Sequence, residues 1–224
     1  MPFRRSGRGP LTACLVDVEQ HELAWPTDNG NVCLDLVATI GERWGRRFER
    51  LRTPADLSRW HCDVGVLDTE PAASVEDLQL ARDLRAAIYA CVEAAVDGGT
   101  PSRAALLTLN RHAAVPPPAP RLEATLRVTW HAVEAPSAAL AVIARDAVAL
   151  ISGPDLARVR ECAAVDCSRV FVDRSNPGTR RWCSMRTCGN RAKVRSLRRR
   201  EQANPPRRGD DVIGASWQSF GTRP

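Results

Sequence analysis

Lysine is almost missing from this sequence: Lys193 is the only one among 32 basic residues, so the positive charge is carried by arginine. That skew reflects overall composition as much as physics and carries no functional weight. No apolar run approaches the ~20 residues of a bilayer-spanning helix, so no membrane partner is expected. The opening stretch, MPFRRSGRGPLTACLVDVEQHELAW, has early arginines, but LTACLV is too short for the apolar segment of an export signal. A cytoplasmic location is the expectation, and in that reducing compartment the eight cysteines are not four disulfides. Catalytic signals are also missing. There is no glycine-rich phosphate loop, no nucleophile–base pair and no carboxylate pair. His21, His61, His112 and His131 stand isolated and read as surface or capping residues. The expectation is that the protein is not an enzyme. The absence of any fixed-period repeat sets solenoid architectures aside.

What remains is unevenly distributed. The 224 residues, 44% of them hydrophobic, suffice for one domain with a real core plus a small module. Cys14, Cys33, Cys62 and Cys91 are scattered without ligand-like spacing, and Cys33 and Cys91, in apolar surroundings, read as small buried hydrophobes. Cys162, Cys167, Cys183 and Cys188 are clustered. Charge follows the same division. From Arg158 to Arg208 there are 15 Arg and Lys against four acids, a net +11, whereas the whole chain is only +6. Such asymmetry is the footprint of a nucleic-acid-binding segment.

Along the chain, residues 1–24 read as a flexible arm. Val32, Leu36 and Ile40 keep helical spacing from about Asn31. Thr53 is a plausible N-cap with Pro54 at the first helical position. The clearest helix covers 75–97, where Leu84, Ile88, Cys91 and Ala95 recur at helical intervals before Gly98 and Gly99. A shorter helix, SRAALLTLNRHA, stops before VPPPAP. RLEATLRVTWHAV then alternates Leu122, Ala124, Leu126, Val128 and Trp130 with more polar residues, the period of a half-buried strand. The segment before Gly153 returns to helix. The fold class expected is mainly α (α+β): a helical domain over 25–155 with a small antiparallel sheet, a zinc finger over 156–203, and a flexible tail over 204–224.

The clustered cysteines form C-x4-C, fifteen residues, C-x4-C. Four thiolates around a tetrahedral ion make a closed structural zinc site, which leaves no open position for catalysis. RVFVD is strand-like, RSNPG carries turn chemistry, and TRRWC is expected to return as a second strand, bringing Cys183 beside Cys162 and Cys167. Cys188 would donate from the first turn of a following helix, with Gly189 allowing close backbone approach to its sulfur. Knuckle, hairpin and helix around one metal resemble a treble clef. An iron–sulfur cluster, or a redox pair among buried thiols, is the alternative reading of the same residues.

On that helix Arg191, Arg195 and Arg198 fall at i, i+4 and i+7, widened by Arg199 and accompanied by Lys193, while Val194 and Leu197 are expected to face the finger's core. Arg180 and Arg181 add charge on the hairpin. Such a surface suits phosphate oxygens or guanine in a major groove. Trp182 either packs the finger or stacks on a base.

CAAVDC…RVFVDRSNPGTRRWCSMRTCGNRAKVRSLRRR resembles the CGNR zinc-finger family, whose naming tetrad is Cys188, Gly189, Asn190 and Arg191 here. In that family the finger follows an N-terminal ABATE domain, and NVCLDLVATIGER with TPADLSRW is similar to it. The resemblance, covering about residues 25–202, implies one structural zinc on Cys162, Cys167, Cys183 and Cys188, DNA binding, and a role in stress-induced transcription regulation. Ala38 stands where the family tends to have Asn. RNA binding, or a protein–protein role with a purely structural zinc clip, are the alternatives, and a homodimer would suit a paired half-site. Asp35, Thr39 and Arg43, at i, i+4 and i+8, are the candidate ligand pocket; an exposed, salt-bridged helix face is the competing reading.

Overall fold

The computed structural model describes residues 20–203. Most of the arm expected over 1–24, and the tail expected over 204–224, lie outside the described residues; Gln20–Leu23 form a single 3-10 turn. The fold is mainly helical with small antiparallel sheets, as the composition and periodicity implied.

At its centre is α1 (Val32–Val37), a short helix buried on nearly every side through Cys33, Leu34, Asp35, Leu36 and Val37. An exposed amide end so deep in the core needs a partner, and α5 (Ala135–Ser152) supplies it. Asp146 accepts from the Cys33 amide at 2.9 Å and from Asn31 Nδ2 at 2.8 Å. Helices α2 (Pro54–Asp63) and α3 (Val75–Val96) both start with reciprocal capping boxes, Thr53 with Asp56 and Ser74 with Asp77. α3, α4 (Arg103–Ala113) and α5 pack on one another and around α1, and Leu84, Ile88, Leu109, Leu140 and Ile143 line the shared interior. α5 is long and apolar enough to cross a membrane by composition. Here it is a core helix, with Leu140, Ile143 and Ala144 fully buried.

Strands β1 (Ile40–Gly41) and β2 (Phe48–Glu49) form a minimal antiparallel pair. A Cβ on Gly41 would stand 2.2 Å from the Phe48 ring, so only glycine lets that ring lie flat on the strand. Gly41→Ala is expected to push Phe48 out of its site and lower stability by about 1–3 kcal/mol, read as a shift in the urea unfolding midpoint. β3 (Ala119–Leu122) and β4 (Val128–His131) form a second hairpin, around Glu123 and Leu126. The alternating stretch is therefore two strands and a turn, and its apolar side is exposed.

The third pair, β5 (Val159–Glu161) and β6 (Val170–Val172), joins the C-terminal module to the helical core. Val159, Val170 and Val172 belong to the same apolar cluster as α1, α3 and α5. Gly30, at φ +97°, lets the chain before α1 pass close over Val172; a Cβ on it would stand 3.1 Å from Val172 Cβ. The Val172 amide donates to the Asn29 carbonyl at 2.9 Å. Arg174 reaches the Gly30 carbonyl (2.6 Å), Asn31 and Asp155, and Arg169 pairs with Asp28 at 3.1 Å. On the other flank the Arg43 amide donates to Ser168 Oγ at 2.7 Å.

Candidate metal centre and basic helix

Cys162 follows β5 directly, and the loop to β6 folds into a knuckle. The Cys162 amide donates to the Arg169 carbonyl, and the Cys167 amide to the Ala164 carbonyl. The second cysteine pair does not arrive by the expected route. β6 pairs with β5, upstream of the knuckle, and TRRWC forms no strand. Residues 179–183 instead run past the knuckle as irregular chain, held where the Ala163 amide donates to the Arg181 carbonyl at 2.8 Å. Cys188 sits in a wide helical turn, Met185–Gly189, that leads into α6 (Asn190–Ala203).

All four sulfurs lie within 4.8 Å of one another. Cys167 Sγ and Cys183 Sγ are 3.8 Å apart, and Cys183 Sγ and Cys188 Sγ 3.6 Å. A tetrahedral zinc with Zn–S near 2.3 Å separates its sulfurs by about 3.8 Å, so the donor set fits that ion. The sulfurs are also supported from outside: the Cys183 amide points at Cys162 Sγ (3.4 Å) and Arg191 at Cys188 Sγ (3.2 Å). Without a cation the four thiols share protons. Cys188 is held far below the ordinary thiol range by hydrogen bonds from Cys162, Cys167 and Cys183, while Cys167 is driven far above it by its bonds to the same group. A divalent ion replaces the shared protons and lets all four ionise. Around them Phe171, Ala164 and Trp182 form a small separate core.

Several predicted contact residues turn out to work inward. Arg180 is no free surface cation: its Nε donates to the Trp182 carbonyl at 2.9 Å, a second nitrogen to the Cys183 carbonyl, and its guanidinium lies 4.7 Å over the Phe171 ring. Arg191 and Arg195 both pair with Asp166 in the knuckle at 3.1 Å, which clamps the start of α6 to the metal site. Trp182 is half-buried against the cysteine cluster, with Arg181 5.2 Å over its ring. Val194 and Leu197 do not face the finger's core; both are exposed. Gly189 is packed tightly against the turn before it. A Cβ there would meet Met185 Sδ at 2.8 Å. Arg181, Lys193, Arg198 and Arg199 are exposed.

Asp35, Thr39 and Arg43 share no helix face, since α1 ends at Val37. Asp35 is buried and accepts from the Asn29 amide and side chain (3.1 and 2.8 Å); burial, partly countered by these bonds, pushes its carboxyl up to about 6. Thr39 donates to the Leu36 carbonyl and accepts from Arg85, which also binds Glu49. Arg43 reaches the Val37 carbonyl at 3.3 Å and lies 4.0 Å over the Tyr89 ring, and burial pushes it down to about 10. Each of the three is engaged in holding the fold. Sequence reasoning passed over Arg85, Asp146 and Arg174, although an arginine beside Leu84 on the buried side of α3 is itself a signal.

A buried four-thiolate centre under a basic helix, fused to a helical domain, defines a zinc-finger protein with one structural zinc ion. Residues 30–154 match the family model ABATE, described as "Putative stress-induced transcription regulator", and residues 158–201 match the CGNR zinc finger. The chain belongs to the ABATE family and carries a CGNR zinc finger at its C-terminal end. No curated protein matches it.

Proposed function

We propose that the protein is a cytoplasmic, non-enzymatic transcription regulator that grips duplex DNA through its zinc finger, with Lys193, Arg198, Arg199 and Arg181 contacting phosphates. The observation that carries this reading is the division of labour on α6. Arg191 and Arg195 tie the helix to the knuckle through Asp166, while Lys193, Arg198 and Arg199 project into solvent. Their direction is thereby fixed relative to the zinc before any partner arrives, which lowers the ordering cost of binding. Duplex DNA is favoured over single-stranded RNA because one face of Trp182 is covered by Arg181 and the ring is packed against the cysteines.

Fluorescence anisotropy of zinc-loaded protein on random-sequence duplex DNA, titrated with salt, tests this. Affinity is expected to fall with salt at about 0.9 in log slope per phosphate neutralised. A triple variant, Lys193→Ala, Arg198→Ala and Arg199→Ala, should lose roughly tenfold or more in affinity and lower that slope by about 3. Tighter binding to single-stranded RNA would overturn the DNA assignment. No binding to either at low salt would leave the finger as a protein-interaction clip.

A further inference from the structure

We propose that Arg169 and Arg191 belong to the zinc site as counter-charges to its thiolates, each held in place by its own aspartate. Four thiolates around one divalent ion carry a surplus of negative charge, and a buried centre keeps that charge only where cations or N–H donors meet the sulfurs. Arg191 divides its fork between the two tasks. Its Nη1 donates to Asp166 Oδ2 at 3.1 Å and its Nη2 to Cys188 Sγ at 3.2 Å. Arg169 is more enclosed, with its side chain 17% exposed. Both of its terminal nitrogens donate to Asp28 Oδ1, at 3.1 and 3.2 Å. Its Nε is fully buried and has no acceptor in hydrogen-bond geometry among the described residues.

Besides Asp28, the groups that act electrostatically on the Arg169 guanidinium include Cys183 and Cys167. A buried N–H beside such sulfurs gains a charged acceptor once zinc replaces the thiol protons. Between them the two arginines address three of the four ligands. The aspartates do not cancel them. Asp166 is shared with Arg195, which leaves that trio net positive, and Asp28 is 57% exposed and screened by water. Carboxylate, guanidinium and sulfur thus form two relays of the kind that orient ligands in metal sites. The Arg169 relay also ties the metal to the helical domain, because Asp28 lies ahead of α1 and Arg169 leads into β6. The inference concerns how zinc is kept and holds whatever the finger binds.

Metal titrations of the full-length protein test it. Arg169→Leu and Arg191→Leu are each expected to weaken zinc binding by roughly 10- to 100-fold in competition with a chromophoric chelator. Looser folding alone produces the same fall, so two readings on loaded protein separate the causes. With cobalt(II) in the site, the thiolate-to-metal charge-transfer band should move to longer wavelength, since each lost donor leaves a sulfur richer in electrons. With zinc in the site, iodoacetamide should alkylate the thiolates faster for the same reason. Arg174→Leu is the control. Arg174 also clamps the module, through the Gly30 carbonyl and Asp155, with no sulfur among its partners in the described residues. It should lower stability and leave band and alkylation rate unchanged. Arg169→Lys keeps the charge but not the fork; it should show a smaller shift, and it serves if the leucine variant does not load. An unchanged band and alkylation rate in either arginine's variants would remove that residue from the site. The same shift in Arg174→Leu would overturn the proposal for both.

Discussion

Cys183→Ser is expected to abolish stoichiometric zinc binding and to lower the stability of the entire fold, not of the finger alone. Cys183 is the central donor, 3.8 Å from Cys167 and 3.6 Å from Cys188, with its amide on Cys162 Sγ. Without the metal, clustered thiols replace ionic bonds with shared protons, and the small core of Phe171, Ala164 and Trp182 is too small to hold the knuckle. The effect spreads because the knuckle closes the turn between β5 and β6, whose valines are part of the main core. Loosening the hairpin exposes Val159, Val170 and Val172, each worth about 1.5–3 kcal/mol of burial. A loss of about 5 kcal/mol is therefore expected, a large share of the total for a domain of this size. Tm should fall by roughly 10–20 °C. Calorimetry with metal analysis checks this, and Cys62→Ser, outside the cluster, should change neither quantity. An apo-protein melting within a degree or two of the holo form would show that the valines stay docked without zinc.

The same junction explains what the sequence could and could not disclose. The Thr53 cap and the ligands were legible because each is a short pattern: Thr53 ahead of Pro54, and two equally spaced cysteine pairs. Pairing partners were not. β5 is three residues long and contains Arg160 and Glu161, so nothing in its pattern separates it from loop, and β6 was assigned to the wrong partner. Arginine identity was equally ambiguous. A guanidinium suits a phosphate, a carbonyl or an aromatic face, and only the fold reveals that Arg180 serves the Trp182 and Cys183 carbonyls while Arg198 faces water. The alternation from Leu122 to Trp130 was read correctly as β structure but wrongly as one half-buried strand, because periodicity says nothing about whether a core lies opposite. α1 failed in the other direction: the helical spacing of Ile40 with Leu36 continues past Ala38, where the helix has already ended.

Asp35→Asn should raise stability by about 3 kcal/mol at pH 7.5 and make the protein more acid-sensitive than the unaltered chain. Two buried groups oppose each other. Burial raises Asp35 to about 6, above its unfolded value near 3.9. The native state therefore holds a proton that the unfolded chain has lost, and the cost of the buried charge is relieved as pH falls through 6. His61 is fully buried beside Trp60, and burial lowers it to about 4 from about 6.5. The unfolded chain then binds the proton first, and stability is lost as pH falls from 6.5 toward 4. Each displacement is worth about 3 kcal/mol at full extent, so in the unaltered protein much of the acid loss from His61 is offset by Asp35. Asparagine keeps the amide and side-chain bonds of Asn29, since both fall on the single oxygen Oδ1, while removing the charge. Between pH 7.5 and 5.5, where the zinc thiolates stay ligated, Asp35→Asn should lose about 1 kcal/mol, and the unaltered protein about half of that. Adding His61→Leu should flatten the remaining slope. Urea midpoints across this range, with zinc content checked at each pH, decide the matter. If Asp35→Asn destabilises at pH 7.5, the buried carboxylate is contributing through its charge, and the opposing-pair account fails.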